Sequence, residues 1–166
     1  MATLKIVRRD NERGQAIIEM ALTLPLLLLV VLGIFDFGLM FQRYEVVTNA
    51  AREGARVGVL PNYTAAVART RALQYLDVSG VGSVSNQRNA PCGGGLVPGS
   101  RCAAATFNVT TIPGVGGAPP VNINQVVMVV EYDHQHVFVG PIRALFGGTM
   151  GTTRLRAASA MRLETN

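Results

Sequence analysis

One stretch of this chain rules out most architectures. From Met20 to Phe41 the sequence reads MALTLPLLLLVVLGIFDFGLMF, and Asp36 is the one ionisable side chain in it. The part before Asp36, Met20–Phe35, carries no charge at all. A helix over Met20–Phe41 would be about 33 Å long at about 1.5 Å per residue, enough to cross a hydrocarbon core of about 30 Å. No second run of comparable length occurs. The sequence therefore predicts one transmembrane helix. Composition agrees: charged residues make up 15% of the chain, where a soluble domain carries about 25%. A cleaved secretory signal would need a shorter apolar core followed at once by small residues. Here Asp36, Phe37, Phe41, Arg43 and Tyr44 follow instead, and the first small pair, Ala50–Ala51, lies beyond them.

Charge placement sets the orientation. The net charge is +5. Lys5, Arg8, Arg9 and Arg13 precede the apolar run, against only Asp10 and Glu12. Basic residues flanking a span are retained on the cytoplasmic side. The segment after Arg43 is thus expected on the far side of the membrane. Trp is absent and aromatics are 6%, which argues against a base-stacking platform. The basic tail reads as a topology signal, with inner-membrane lipid as its partner and no nucleic acid.

Four residues around the apolar run have ordinary readings when taken singly. Gly14 suits a linker. Glu19, near a helix N-terminus, is favoured by the helix dipole. Pro25 would kink the helix, which lipid-embedded helices tolerate when neighbours satisfy the freed carbonyl. Asp36, near the far interface, would reach headgroup water. Their arrangement is more specific: Gly14 ends the basic tail, and Glu19 follows five residues later at the lipid edge.

This pattern, in RGQAIIEMALTLPLLLLVVLGIFDFGLMF, resembles the type IV prepilin signal. More closely, it resembles the TadE-like pseudopilins of the tight-adherence (Flp) pilus system, whose G-x-x-x-x-E signal, in-helix Pro and late acidic residue match Gly14, Glu19, Pro25 and Asp36. The resemblance covers about residues 12–60. It implies a bacterial inner-membrane protein with a cytoplasmic N-terminus and a periplasmic C-terminal domain, a subunit that can enter an extracellular pilus. It also implies cutting by a prepilin peptidase between Gly14 and Gln15. Glu19 would then neutralise the Gln15 amine of a neighbouring subunit, two opposite charges entering lipid together at less cost than either alone. The implied partners are that peptidase, other pilins or pseudopilins, and the pilus assembly platform. Flp-type signals usually place an aromatic residue directly after the Glu, where this chain has Met20.

Past the membrane the helix is expected to continue to residue 60, because no Pro occurs until Pro61. Ala50, Gly54 and Gly58 recur every four residues, giving a smooth face that lets another backbone come close. That face could pack on a neighbouring subunit or on the chain's own domain. Glu53 and Arg56 stand at i,i+3 and should pair. A second helix is predicted over Thr64–Leu76, with Ala68, Ala72 and Leu76 on one face. Residues 77–103 are Gly-rich and loop-like. Cys92 and Cys102 bracket nine residues and have neither zinc-site nor redox C-x-x-C spacing. On the oxidising side of a membrane they are expected to pair, with a stabilisation of about 3 kcal/mol from loop closure. Three strands are predicted: Ala105–Thr111, Gln125–Asp133 and Arg154–Glu164. The first alternates Ala105, Phe107 and Val109 with Thr106, Asn108 and Thr110. Ile112–Asn124 reads as a Pro/Gly connection, and Val137–Phe146 as a core hairpin or an exposed docking patch.

The expected fold is α+β and pilin-like, a long N-terminal transmembrane helix continuing into a small domain with an antiparallel sheet. Its parts are a basic cytoplasmic leader (1–14), a transmembrane and stem helix (15–60) and an α+β domain (61–166). Enzyme chemistry is not signalled. There is no phosphate-binding glycine loop, no H-E-x-x-H and no nucleophile with a neighbouring base. His134 and His136 would share one strand face, but a metal would need a third ligand from elsewhere, and the pair reads as surface residues. Neither a cofactor nor a metal is expected. Two functions of different class remain. One is a minor pseudopilin, a structural or assembly subunit of a tight-adherence type IV-like pilus or related secretion filament. The other is an uncleaved single-pass membrane protein presenting a small disulfide-bearing binding domain.

Overall fold

The computed structural model describes residues 10–89, 91–113, 119–138 and 151–163. Helix α1 runs unbroken over Asp10–Gly58, and α2 over Ala65–Val78. Among the described residues, three strands follow: β1 (Arg101–Ile112), β2 (Val121–Gln135) and β3 (Thr152–Arg162). They form one antiparallel sheet in the order β1-β2-β3. The α+β architecture expected from the sequence is the one observed, with β1 and β2 longer than their predicted cores and β3 starting two residues before its predicted Arg154. The stretch 139–150, which holds most of the predicted Val137–Phe146 segment, lies outside the described residues. So do residues 1–9 of the leader. The helix already begins at Asp10, so no break in structure marks residue 14.

At 49 residues, α1 is about 73 Å long at about 1.5 Å per residue. Its outer part lies along β2 and runs antiparallel to it. The pairing follows from two rises. Four helix residues advance about 6 Å, and two strand residues on one face advance about 6.8 Å. The small residues of α1 therefore keep step with one face of β2. A Cβ added to Gly58 would meet Val126 Cγ2 at 3.0 Å, and one added to Gly54 would meet Met128 Cγ at 3.0 Å. Further along, the Arg43 guanidinium stands 5.7 Å from the Tyr132 ring centre. The register ends where Asp36 reaches His136 and Val137. The two alternatives for the small-residue face are thereby decided within the subunit. Ala50 is fully buried, and Gly54 and Gly58 seat α1 on its own sheet and on Ala72 and Ala68 of α2.

Helix α2 closes the other side of the core. Thr64 caps it, its Oγ1 accepting from the Val67 N–H. Ala68, Ala72 and Leu76 are completely buried, as their spacing predicts. Glu53 pairs with Arg56 at 3.2 Å and also with Arg71 of α2 at 2.9 Å. On the far side of α2, Arg69 Nε donates to the Ala103 carbonyl at 3.0 Å, tying the helix to β1.

The outer half of β1 departs from the expected alternation. Phe107 and Val109 are 45% and 65% exposed, and no residue from Thr106 to Thr111 is buried on either face. The reason is reach. Phe107 pairs with Val126, and Val126 is where α1 ends at Gly58. Beyond it the paired β1 and β2 extend past the helices and are held by their ladder and by two cross-strand side-chain hydrogen bonds at 2.7 Å, Thr111 Oγ1 to Asn122 Oδ1 and Gln125 Nε2 to Thr110 Oγ1.

The loop between α2 and β1 is pinned by a disulfide and by a buried charge cluster. Cys92 and Cys102 are bonded, with Cα atoms 5.6 Å apart. Asp133 on β2 is fully buried. Its carboxylate accepts from Val97 N and Ser100 Oγ, both at 3.0 Å, and from Arg154 Nε at 2.7 Å. Burial by itself pushes the Asp133 carboxyl up. The Arg154 hydrogen bonds, the Val97 N–H, the Ser100 hydroxyl and the Arg88 charge outweigh it and hold it below the usual carboxylate range. Arg154 in turn donates to the Gly94 and Gly95 carbonyls at 2.9 Å. A loop with little apolar content is thus held by backbone groups bonded to charged side chains, the stronger class of hydrogen bond.

Candidate functional site

The N-terminal part of α1 packs against no other element among the described residues. Every residue from Gly14 to Val31 is exposed, and none from Gly14 to Phe35 is buried. Gly14–Phe35 amounts to about 33 Å of helix. Its surface is made of Ile17, Ile18, Met20, Leu22, Leu26, Leu27, Ile34 and Phe35, each more than 60% exposed. A helix that is apolar all round and unpacked is stable only in an apolar solvent. The protein is therefore membrane-anchored. The apolar run had placed the lipid-facing stretch at Met20–Phe41. The structure shifts its outer limit inward, because from Asp36 onward one face of α1 is covered by the sheet.

The sequence-predicted residues of this region fall as follows. Gly14 lies within the helix, exposed, and an added Cβ would meet nothing within 4 Å. Packing inside the subunit therefore does not require glycine there. Gln15 and Glu19 are exposed, and among the described residues Glu19 has no ion pair. Arg43, the next cation along the helix, is about 36 Å away along the axis. Pro25 sits inside α1 without ending it. Its ring removes one N–H from the ladder. Two residues earlier Thr23 Oγ1 donates to the Glu19 carbonyl at 3.0 Å, so the hydroxyl is satisfied within its own helix. Met20, Thr23, Leu24, Leu26, Leu27 and Val30 line a shallow apolar groove beside Pro25.

Asp36 does not reach headgroup water as its position in the apolar run suggested. It is 1% exposed. Its Oδ1 accepts from the Val137 N–H at 2.9 Å, and its Oδ2 lies 3.3 Å from His136 Nδ1. The expectation of two surface histidines is also corrected. His134 is 2% exposed, and its ring meets that of His136 edge-on at 5.1 Å. Burial, then the neighbouring His136 and Arg43, lower the His134 pKa below the ordinary imidazole value, against the opposing pull of Asp36. Sequence reasoning missed this cluster because its members come from two elements a hundred residues apart. The one signal was the i,i+2 spacing of the histidines, which places them on one strand face.

Two regions with chemistry emerge: the exposed Gly14–Glu19 turn at the inner end of the apolar helix, and the Asp36 cluster at its outer end. Residues 14–56 match the family model described as TadE-like protein. The match starts at Gly14 and runs along α1 to within two residues of its end. Neither a curated protein nor a solved structure matches the chain. The segment that enters the membrane and packs on the sheet is thus similar to TadE-like proteins over residues 14–56 of the 166, and it makes the chain a membrane-anchored protein.

Proposed function

We propose that this chain is a minor pseudopilin, a structural and assembly subunit of a tight-adherence type IV-like pilus or related secretion filament. In this reading a prepilin peptidase cuts it after Gly14. The N-terminus is cytoplasmic and the sheet domain periplasmic. The observation that carries the proposal is that the TadE-like match, residues 14–56, takes in the stretch of α1 from Gly14 to Phe35, where no residue is buried in the subunit. A helix left bare over that length but packed on its own domain afterwards is suited to a filament, where neighbouring stems replace lipid around it.

The physical role of each residue follows. Gly14 exposes its backbone with no side chain in the way, as a peptidase needs. Cutting there removes Lys5, Arg8, Arg9 and Arg13 and leaves a new amine on Gln15. Glu19 stands one turn further into lipid. A carboxylate carried into an apolar environment needs a partner. With Arg43 far away and Arg13 removed, the cations left to Glu19 are Gln15 amines, its own about 6 Å back along the helix axis and that of a neighbouring subunit, to which the proposal assigns it. The partners are the peptidase, other pilins or pseudopilins and the assembly platform.

The test separates cutting from assembly. Glu19→Gln keeps size and hydrogen bonding but removes the charge. This variant should insert and be processed to the mature mass, yet lose co-purification with pilin-type partners. If the Gln variant recovers those partners as well as the parent does, the charge-pairing role is wrong. If the parent itself is never cut, the chain is an uncleaved single-pass protein that presents its disulfide-bearing domain as a binding module.

A further inference from the structure

At the outer end of the bare helix three metal-ligating side chains meet, and none of them is needed for the pilin-type role above. Asp36 comes from α1, and His134 and His136 from the end of β2. Their ligand atoms all lie within 4.8 Å of one another. Two observations point to a cation there. First, both ring nitrogens of His134 are buried without a hydrogen-bond partner among the described residues. A buried polar atom left unsatisfied is costly, and a ligand bond from an imidazole nitrogen would satisfy it. Second, the other two ligands are already oriented by outer hydrogen bonds. His136 Nε2 is 2.8 Å from Thr153 Oγ1 on β3, which leaves Nδ1 turned toward Asp36 Oδ2 at 3.3 Å. Asp36 Oδ1 accepts from the Val137 N–H, and Oδ2 is the oxygen that faces His136 Nδ1. Such outer partners, which set tautomer and ring angle, are the mark of metal-binding histidines.

We propose that Asp36, His134 and His136 bind one divalent transition-metal ion, zinc by their ligand set, and that it clamps the point where α1 leaves the membrane to the end of β2. Two imidazoles and a carboxylate are a ligand set that zinc takes, with a solvent molecule completing a tetrahedron. Zinc ligand bonds of about 2.0–2.2 Å require the three atoms to close in by rotamer adjustment. A proton shared between His136 and Asp36 is the rival occupant. It would satisfy that pair but leave both nitrogens of His134 without a partner. The proposal does not depend on the pilus reading, since no part of it uses Gly14 or Glu19.

The chain is suited to a clean test. It has only two histidines, and its two cysteines are bonded to each other. The full chain is purified in detergent micelles with a histidine-free tag, stripped with a chelator and dialysed against zinc. We expect one zinc per chain, a higher melting temperature with zinc than with chelator, and the visible absorbance of a tetrahedral complex when Co2+ replaces it. Asp36→Asn and His136→Gln should each weaken zinc binding at least ~10-fold, the smallest loss typical even for an outer partner of a ligand. Their chelator-treated melts show whether they fold. If a variant does not fold, the parent chain decides through its zinc stoichiometry and cobalt spectrum. No retained zinc in the parent, an octahedral cobalt spectrum, or unchanged binding in a folded Asp36→Asn variant would overturn the site.

Discussion

Replacing Gly54 with Val tests the close seating of α1 on the sheet more sharply than any truncation. The gap is defined. A single Cβ at position 54 would lie 3.0 Å from Ala72 Cβ, 3.0 Å from Met128 Cγ and 3.1 Å from Met128 Cε. Met128 is fully buried and has no solvent to swing into. Ala72 Cβ is fixed to the backbone of α2. Helix propensity alone favours the change: Gly→Ala in a helix interior is worth about 1 kcal/mol, and Gly→Val somewhat less. Overpacking opposes it at about 1–3 kcal/mol for added methylenes. For Ala the two nearly cancel. For Val, two further methyl groups enter contacts that are already too short, and helix α1 must lift from β2. The net destabilisation should be about 2 kcal/mol, or a fall in melting temperature of about 7 °C for roughly 130 folded residues at about 2.1 cal/mol/K each. The assay is thermal unfolding of the full chain in detergent, followed by tyrosine fluorescence, since Tyr132 packs against the core and does not report on the micelle-bound helix. Gly54→Ala is run beside it. A Val variant that melts with or above the parent would show that the helix does not press on Met128 and Ala72, and the register argument for the small-residue face would fail with it.

Two further outcomes follow from the loop and its anchors. Reduction, or Cys92→Ser with Cys102→Ser, should lower stability by about 3 kcal/mol through loop-closure entropy, and reductant should then cause no further change in the melt of the double variant. Asp133 binds a proton less readily folded than unfolded, so its contribution is intact at neutral pH and is lost as pH falls below the unfolded value of about 3.9. The melting temperature of the parent should therefore drop between pH 5 and pH 3 more steeply than that of Asp133→Asn, and parallel slopes would remove Asp133 as the cause.

What was legible in the sequence depended on whether the signal was local. The apolar run, the basic flank and the Gly14–Glu19 spacing lie within one helix, and they located the membrane segment and the candidate cleavage turn. Strand positions were also local, because alternation and Val content are read over a few residues. The pairing of α1 with β2 was not. Nothing in the chain says which strand the helix follows, although helix and strand rises make Asp36–Gly58 and Val126–His136 nearly equal in length, about 33 and 34 Å. Without that pairing Asp36 reads as an interfacial carboxylate and His134 as a surface residue. With it, both are buried in one cluster. The exposed outer half of β1 escaped for a related reason. Alternation at Phe107 and Val109 predicts an apolar face but not whether a helix is long enough to cover it, and α1 stops at Gly58, opposite Val126.

The central claim is that this chain is a processed filament subunit, and its N-terminus tests that most directly. The measurement is the intact mass and N-terminal sequence of the chain recovered from its native membrane, in cells that carry the prepilin peptidase. The account predicts a mature chain that begins at Gln15 and lacks the basic segment through Gly14, with processing abolished in Gly14→Val. A chain that keeps Arg13 and Gly14 in those cells would contradict it, and would leave a membrane-anchored domain without a filament.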